Sequence, residues 1–360
     1  MNTKPVVVVA MSGGVDSSVA AALLVEQGYN VIGVMLRLWS EQGSEAANRC
    51  CTPEAMAMAR RVAAILSIPF YAIDAQQIFY DSVVKKFIED YTHNLTPNPC
   101  LECNRIVRWE FLLNHALSMG ADFLATGHYA RLVQGFGDKI QLLRGVDLAK
   151  DQSYVLHVLT QKQLGHALFP LGSYTKSEVR SVAKKFNLPV ADRPESQDLC
   201  FLGEDDYRTF LVQHAPHSKL PGPILDRRGK ILGQHQGLAF YTIGQRKGLH
   251  ISSPQPLYVV EKDAINNAVI VGAIDQLGGN VLYAKDVNWI DGEIPTSPFT
   301  AHIKIRYRAH EVLGLVTTLH DDSIRIDFEN PIRDITPGQA AVIYNGDNCL
   351  GGGTISSKIQ

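Results

Sequence analysis

Two groups of residues in this chain have types and spacings suited to chemistry. The first is Ser12-Gly13-Gly14-Val15-Asp16-Ser17, which follows an apolar run and leads into an alanine-rich stretch. Gly13 and Gly14 let the backbone take positive φ and approach a ligand closely, and the free N–H groups of a helix opening near Asp16 to Val19 would face a bound anion. Ser12, Ser17 and Ser18 add hydroxyl donors. The spacing is neither Gly-x-x-x-x-Gly-Lys-[Ser/Thr], because the lysine is missing, nor Gly-x-Gly-x-x-Gly. The second group is Cys100, Cys103 and Cys200. Cys100 and Cys103 lie in Thr-Pro-Asn-Pro-Cys-Leu-Glu-Cys-Asn, which reads as a proline-stiffened loop before a helix starting near Asn104. Thiols at a helix amino end shift toward thiolate, the reactive form. Cys200 sits in Glu-Ser-Gln-Asp-Leu-Cys-Phe, so the three together suggest sulfur chemistry. A zinc clip at Cys100 and Cys103 with a merely buried Cys200 is the competing reading, but no second Cys-x-x-Cys or His pair completes a tetrahedral site. Cys50, Cys51 and Cys349 read as packing residues.

Elements of alternating type must position these groups. Apolar strands are expected over 5–10, 31–36, 70–73 and 123–126, with helices between them. Thr52-Pro53-Glu54 is a helix start, with Thr as N-cap and Pro in the first turn, and helical spacing continues to Leu66. Thr175-Lys176-Ser177-Glu178 is a capping box for a helix ending near Phe186. Strands alternating with helices imply an α/β fold with a doubly wound parallel sheet. Beyond about residue 215 the texture changes to Pro and Gly turns with short alternating runs such as 257–260, 269–271 and 324–328. That composition predicts a small module followed by a barrel-like one.

The 360 residues, 46% of them hydrophobic, can bury a substantial core. No apolar run approaches membrane-spanning length and the amino terminus lacks the long apolar region of a signal peptide, so a cytoplasmic address and no membrane partner are expected. Six unevenly spaced cysteines do not form a secreted disulfide framework. A formal net charge of −2 means that a nucleic-acid partner must be held by local basic patches. One candidate patch is 301–308, whose period of two would put His302, Lys304, Arg306 and Arg308 on one strand face and Ile303, Ile305 and Tyr307 on the other. A solvated strand face is the plain reading of the same pattern.

The Ser-Gly-Gly-Val-Asp-Ser loop resembles the PP-loop of ATP pyrophosphatases. With Thr-Pro-Asn-Pro-x-x-x-Cys-Asn, Ala-Thr-Gly-His-Tyr, Lys-Asp-Gln-Ser-Tyr, Glu-Ser-Gln-Asp-x-Cys-Phe, Gly-Gln-Arg-Lys-Gly-Leu (Gly244 to Leu249) and Thr-Pro-Gly-Gln-x-Ala, the chain is similar over almost its whole length to the bacterial tRNA-specific 2-thiouridylases. The resemblance implies an ATP-pyrophosphatase domain over 1–204, a small central domain over 205–283 and a β-barrel domain contacting tRNA over 284–360. It implies ATP and Mg²⁺, with Ala10, Met11, Ser12, Gly13, Gly14, Val15, Asp16 and Ser17 holding phosphates and Leu36 and Gly127 flanking the adenosine. The expected reaction is adenylation of the C2 oxygen of the wobble uridine in tRNAs for Lys, Glu and Gln, then sulfur transfer. Cys200 would carry a persulfide received from a donor or relay protein, and Cys103 would be its partner thiol, closing a disulfide or freeing sulfide. Asn98, Pro99 and Cys100 would lie at the extruded base, and His128, Lys150, Asp151, Gln152, Arg306, Tyr307 and Gln339 would touch tRNA.

At one position the chain departs from the pattern. Many members have Asp where this chain has Cys100, and a thiol of higher reference pKa cannot take over a carboxyl's acid–base role unchanged. Three thiolates would leave one corner of an iron–sulfur cluster open, so Cys100, Cys103 and Cys200 are also candidate cluster ligands. Two other functions keep some of these features: a PP-loop ligase that adenylates a carboxylate, and a nucleotide-gated tRNA-binding protein with structural cysteines. Neither needs Cys103 and Cys200 as a reactive pair.

Overall fold

The computed structural model describes residues 4–41, 52–194, 199–202, 206–320 and 322–357. Cys50, Cys51 and the 195–198 part of the Cys200 motif lie outside these. Strands β1 (Val6–Ala10), β2 (Asn30–Arg37), β3 (Phe70–Asp74) and β4 (Phe123–Ala125) form where the apolar runs predict them. β1 has Val7, Val8 and Val9 fully buried because its two faces are both covered. Val7 and Val9 pack with helices α1 (Val15–Glu26) and α2 (Pro53–Ile65), while Val8 packs into the core on the opposite face. An unbroken valine run, rather than an alternating one, is what a parallel strand between two helical layers requires. α1 is apolar around its circumference and correspondingly sunk, whereas α2 starts as expected at Thr52, whose hydroxyl accepts from the Ala55 N–H at 3.0 Å.

The parallel sheet runs in the order β3-β2-β1-β4 with a short strand, Ala167–Leu168, at the β4 edge. Chain order therefore reverses between β1 and β4, and the crevice beyond their carboxyl ends is where such sheets bind ligands. Both the Ser12–Ser17 loop and the Gly127-His128 turn leave the sheet there. The Thr175 capping box is formed as read, with Glu178 returning to its N–H at 2.7 Å, and the helix spans Lys176–Lys185.

The second half is β-rich. A four-stranded sheet with strands Gly222–Asp226, Ile231–His235, Tyr258–Asp263 and Ala268–Gly272 precedes a six-stranded antiparallel barrel, Gly279–Trp289 closing it by pairing with Asn348–Ser356. A hairpin from the first half, Ala130–Gln134 with Ile140–Arg144, extends the barrel sheet through the Cys349–Leu142 pairing. Early chain and late chain are thus one hydrogen-bonded layer.

Two local expectations are corrected. Regular helix begins at Pro99, not near Asn104: Asn98 is the N-cap, Pro99 the first helical residue, and α-helical 99–102 continues through wider π-helical turns from Cys103 to Leu112. Cys100 is therefore in the first turn of a helix and Cys103 opens its π-helical continuation, rather than both standing on a loop ahead of it. The strand expected through Arg308 stops at Lys304. Arg306 turns inward to donate to Ile243 O at 3.0 Å and to Thr336 Oγ1, and Tyr307, expected on the buried face, is 36% exposed. The basic stripe is reduced to His302 and Lys304 on the strand proper.

Candidate active site

Gly13 carries φ of +71°, and a Cβ there would come within 2.4 Å of Ala55 O, so both conformation and space demand glycine. Met11 N–H bonds Val34 O at 2.7 Å, fixing the exit from β1. The Ser17 hydroxyl accepts from Ser12 N–H at 3.1 Å and lies 3.2 Å from Ser12 Oγ, while Ser18 Oγ donates to Gly14 O at 2.8 Å. The loop is thus held by its own serines around the amino end of α1. Gly127 closes one side: a Cβ would meet Asp16 C and Ser17 N at 2.8 Å. Leu36 lies at the end of β2, paired with Ile73, on the other side of β1.

Three residues outside the expected set complete this site. Tyr129 Oη donates to Asp16 Oδ1 at 2.7 Å, and Lys176 Nζ donates to both Asp16 oxygens at 2.8 Å. Arg193 donates to Gly13 O at 2.7 Å, which ties the segment leading toward Cys200 to the phosphate loop. Tyr129 was within reach of sequence reasoning, being the last residue of Ala-Thr-Gly-His-Tyr. For Arg193 no local signal exists.

Cys103 is buried, Cys100 is exposed, and Cys200 is half-buried against the apolar cluster that contains Cys103, Phe79, Phe87, Phe201 and Phe210. Cys349 is a free thiol, fully buried in keeping with a packing role. Among the described residues no three Cys, His, Asp or Glu side chains come together as a metal-binding group. Cys100 is exposed whereas Cys103 is in the core, so the three cysteines differ in environment.

The chain leading into the cysteine helix is held from two sides. Thr96 N–H bonds Pro337 O at 2.9 Å, and Gln339 Nε2 donates to Thr96 O at 2.9 Å and Pro97 O at 3.1 Å. Thr96 Oγ1 reaches Thr242 at 3.4 Å, and Asn98 hydrogen-bonds the buried Tyr154, whose hydroxyl donates to Ala340 O at 3.0 Å. Parallel-sheet domain, central sheet and barrel therefore meet at residues 96–99, with Arg306 and Gln339 at that junction.

Other expected contacts are deeper than their assignment to tRNA suggests. His128 is 6% exposed. Its Nε2 faces Arg108 Nη1 at 3.2 Å and its Nδ1 faces Thr126 Oγ1 at 2.7 Å. Burial and the Arg108 charge lower its pKa to about 3, so the ring is neutral; because Arg can only donate, Nε2 accepts and Nδ1 carries the proton toward Thr126. Asp151 is buried, accepting from Gly145 N–H at 3.1 Å, Ser153 N–H at 3.0 Å and Ser153 Oγ at 2.9 Å. Gln152 accepts from Tyr129 N–H at 3.0 Å, and Lys150 is half-buried beside them. His128, Asp151 and Gln152 thus hold the Tyr129 turn from within and offer little surface in this conformation.

Residues 5–204 match a family model described as a tRNA methyl transferase HUP domain, 208–273 a tRNA methyl transferase PRC-barrel domain and 280–355 an aminomethyltransferase beta-barrel domain. The tRNA-specific 2-thiouridylase of Moorella thermoacetica is 50% identical over 360 residues, covering 98% of this chain and 99% of the relative, and that of Chloroflexus aurantiacus is 48% identical over 352 residues, covering 97% and 98%. This chain belongs to the tRNA-specific 2-thiouridylase family. Among solved structures, an NMN synthetase from Francisella tularensis is 20% identical, with a TM-score of 0.36 over 58% of this chain and 72% of that one. In the 2-thiouridylase family context, the first matched region takes in the parallel sheet, the phosphate loop and all three candidate thiols, and the barrel region takes in Arg306 and Gln339.

Proposed function

We propose that this enzyme converts the wobble uridine of tRNAs for Lys, Glu and Gln to 2-thiouridine with ATP. The observation that carries this reading is the placement of Cys103 and Cys200 against one apolar cluster, with Arg193, seven residues before Cys200, bonded to Gly13 of the phosphate loop. A uracil carbonyl oxygen is a very poor leaving group, and adenylation makes it a good one. The N–H groups and hydroxyls of the Ala10, Met11, Ser12, Gly13, Gly14, Val15, Asp16, Ser17 stretch hold the phosphates and stabilise the charge that develops on pyrophosphate as its bond to the α-phosphorus breaks. Leu36 and Gly127 border the adenosine. Asp16, with the loop hydroxyls, suits Mg²⁺, which takes one or two carboxylates plus phosphate oxygens; the ion neutralises charge on the triphosphate.

Cys200 receives sulfur as a persulfide from a donor protein. Its terminal sulfur replaces the AMP oxygen at C2, and attack by the Cys103 thiolate on the Cys200 sulfur cleaves the S–S bond, leaving a Cys103–Cys200 disulfide; release of sulfide by the same attack before transfer gives the same disulfide. The segregation of exposed Cys100 from buried Cys103 favours this persulfide route over a cluster held by Cys100, Cys103 and Cys200. Asn98, Pro99 and Cys100 border the extruded base. Lys150, Tyr307 and the outer edge of the junction carrying Arg306 and Gln339 face the RNA, and His128, Asp151 and Gln152 position that surface. A ligase acting on a carboxylate would leave the two thiols without a task. Thiolation of an unmodified tRNA-Glu transcript with ATP, Mg²⁺ and a persulfide donor, read by sulfur-dependent gel retardation, tests the reading. Product is expected with the parent chain and none with Cys103→Ser or Cys200→Ser, each still binding tRNA. A Cys200→Ser variant that thiolates normally overturns the persulfide assignment.

A further inference from the structure

A buried cluster of opposite charges joins the first-half hairpin to the barrel, beside the segments that carry Lys150 and Tyr307. Arg144, the last residue of the Ile140–Arg144 strand, is 7% exposed and pairs with Glu311 through Nη1 at 2.6 Å. Glu311 closes the turn that carries Arg306 and Tyr307, just before the Val312–Thr318 strand. The same Nη1 lies 4.0 Å from Asp151 Oδ2, and the guanidinium carbon stands 3.7 Å from the centre of the buried Tyr344 ring. Tyr344 Oη is in turn 3.1 Å from Ser153 Oγ, which donates to Asp151. Burial lowers the pKa of Lys304, while Asp151 and Glu311 raise it and Arg144 lowers it, so all four charges share one space. Folding stability is a poor account of this cluster. Asp151 already accepts from Gly145 N–H, Ser153 N–H and Ser153 Oγ, so it does not need Arg144 as a donor. Arg144 Nη2 is buried and meets no acceptor among the described residues. A guanidinium withdrawn from water with one nitrogen unsatisfied costs free energy that an apolar side chain would not. What the cation can do and an apolar side chain cannot is fix the Glu311 carboxylate, and with it the 305–311 turn, in one place relative to 150–152.

We infer that Arg144 is a positioning residue for RNA binding: through Glu311 and Asp151 it sets the turn bearing Arg306 and Tyr307 in register with Lys150, so that both segments meet the tRNA together. Arg144 itself is covered and acts only through its partners. This rests on both segments facing tRNA, and adds what holds them at a fixed separation. Direct electrostatics would give the opposite sign. Glu311 puts negative charge beside an RNA-facing turn, so removing that charge would by Coulomb repulsion alone tighten binding to phosphates. Where the carboxylate holds the turn, removing it weakens binding instead, because the turn must then be ordered at the expense of binding energy.

The test is tRNA binding and thiolation by the full chain, with an unmodified tRNA-Glu transcript, ATP, Mg²⁺ and a persulfide donor. Glu311→Gln keeps the side-chain shape and is expected to raise the Kd and KM for tRNA by roughly tenfold, while kcat and ATP affinity change less than about twofold. Arg144→Gln is expected to match or exceed that loss. The Arg144→Gln/Glu311→Gln pair should lose no more than Arg144→Gln alone, because one tether cannot be cut twice. Unchanged or tighter tRNA binding in Glu311→Gln overturns the assignment, as do losses that add in the pair or a fall in ATP affinity equal to that in tRNA affinity. Should Arg144→Gln fail to fold, Glu311→Gln decides alone, since it leaves Arg144 beside Asp151. A parent chain that does not bind the transcript overturns the tRNA reading itself, so the two failures are distinct.

Discussion

The side-chain amide of Gln339 donates a 2.9 Å hydrogen bond to the carbonyl oxygen of Thr96, 243 residues away in sequence. Barrel and cysteine helix are joined at this point, since the same amide also reaches Pro97 O at 3.1 Å and the helix begins at Pro99. Gln339→Ala leaves two carbonyls without their protein donor. Stability should fall by about 1–3 kcal/mol in urea unfolding, from two neutral hydrogen bonds. Thiolation should fall further than ATP affinity, because the loop bordering the base loses its support while the phosphate loop is untouched. Equal losses in thiolation and ATP affinity would count against this division of labour.

Two glycines that look alike in sequence should behave differently. A Cβ on Gly127 would press on the backbone of Asp16 and Ser17 at 2.8 Å, whereas one on Gly120 meets nothing within 4 Å and only strains a φ of +81°. Gly127→Ala must displace the amino end of α1, so ATP affinity is expected to drop by at least about tenfold, the cost of a misplaced anion site. Gly120→Ala should lower stability by about 1 kcal/mol and leave ATP binding alone. Nucleotide titration of both variants, with melting curves, separates the two effects.

Thiol reactivity should follow burial. Cys100 is exposed, Cys200 is half-buried and Cys103 is buried. Cys349 is fully enclosed, and burial pushes its thiol well up, away from the reactive thiolate. Brief alkylation with iodoacetamide followed by peptide mass spectrometry should label Cys100 first and leave Cys349 unlabelled until the protein is unfolded. Early labelling of Cys349 would contradict the barrel packing around the Asn348–Ser356 strand.

What was legible in the sequence was local. The phosphate loop, the Thr52 and Thr175 caps and the four strands of the parallel sheet each announce themselves within a few residues, and each stands where those residues predict. The misjudged features depend on partners far along the chain. The strand through Arg306 ends early because Ile243 O and Thr336 Oγ1 draw the guanidinium inward. The reach of Lys176 and Arg193 into the phosphate loop has the same long-range origin, although a lysine at the first helical position was already at odds with the helix dipole. The start of the cysteine helix was readable from Asn98-Pro99, an N-cap followed by proline, but the two cysteines drew the boundary too far along the chain.

Stability should fall with acid through the histidines near the site. Burial and Arg108 lower the pKa of His128 to about 3, and burial lowers that of His157 to about 4, from an ordinary value of 6.5. His157 Nδ1 lies 2.7 Å from Tyr154 O, so the neutral ring donates there and has no use for a second proton. Between the folded and unfolded pKa values the unfolded chain binds protons that the folded one refuses. Stability from these groups is therefore fully present above pH 6.5 and is lost as pH falls toward 4 and 3. From pH 7 to pH 5 each histidine should remove about 2 kcal/mol, at 1.36 kcal/mol per pH unit below 6.5. Asn at position 157 can place an amide N–H near where the imidazole Nδ1–H sits, and it does not titrate. Urea unfolding of His157→Asn at the two pH values should show a drop smaller than that of the parent chain by about 2 kcal/mol. An equal drop in both proteins would mean that His157 takes up its proton in the folded state and that the acid sensitivity resides elsewhere.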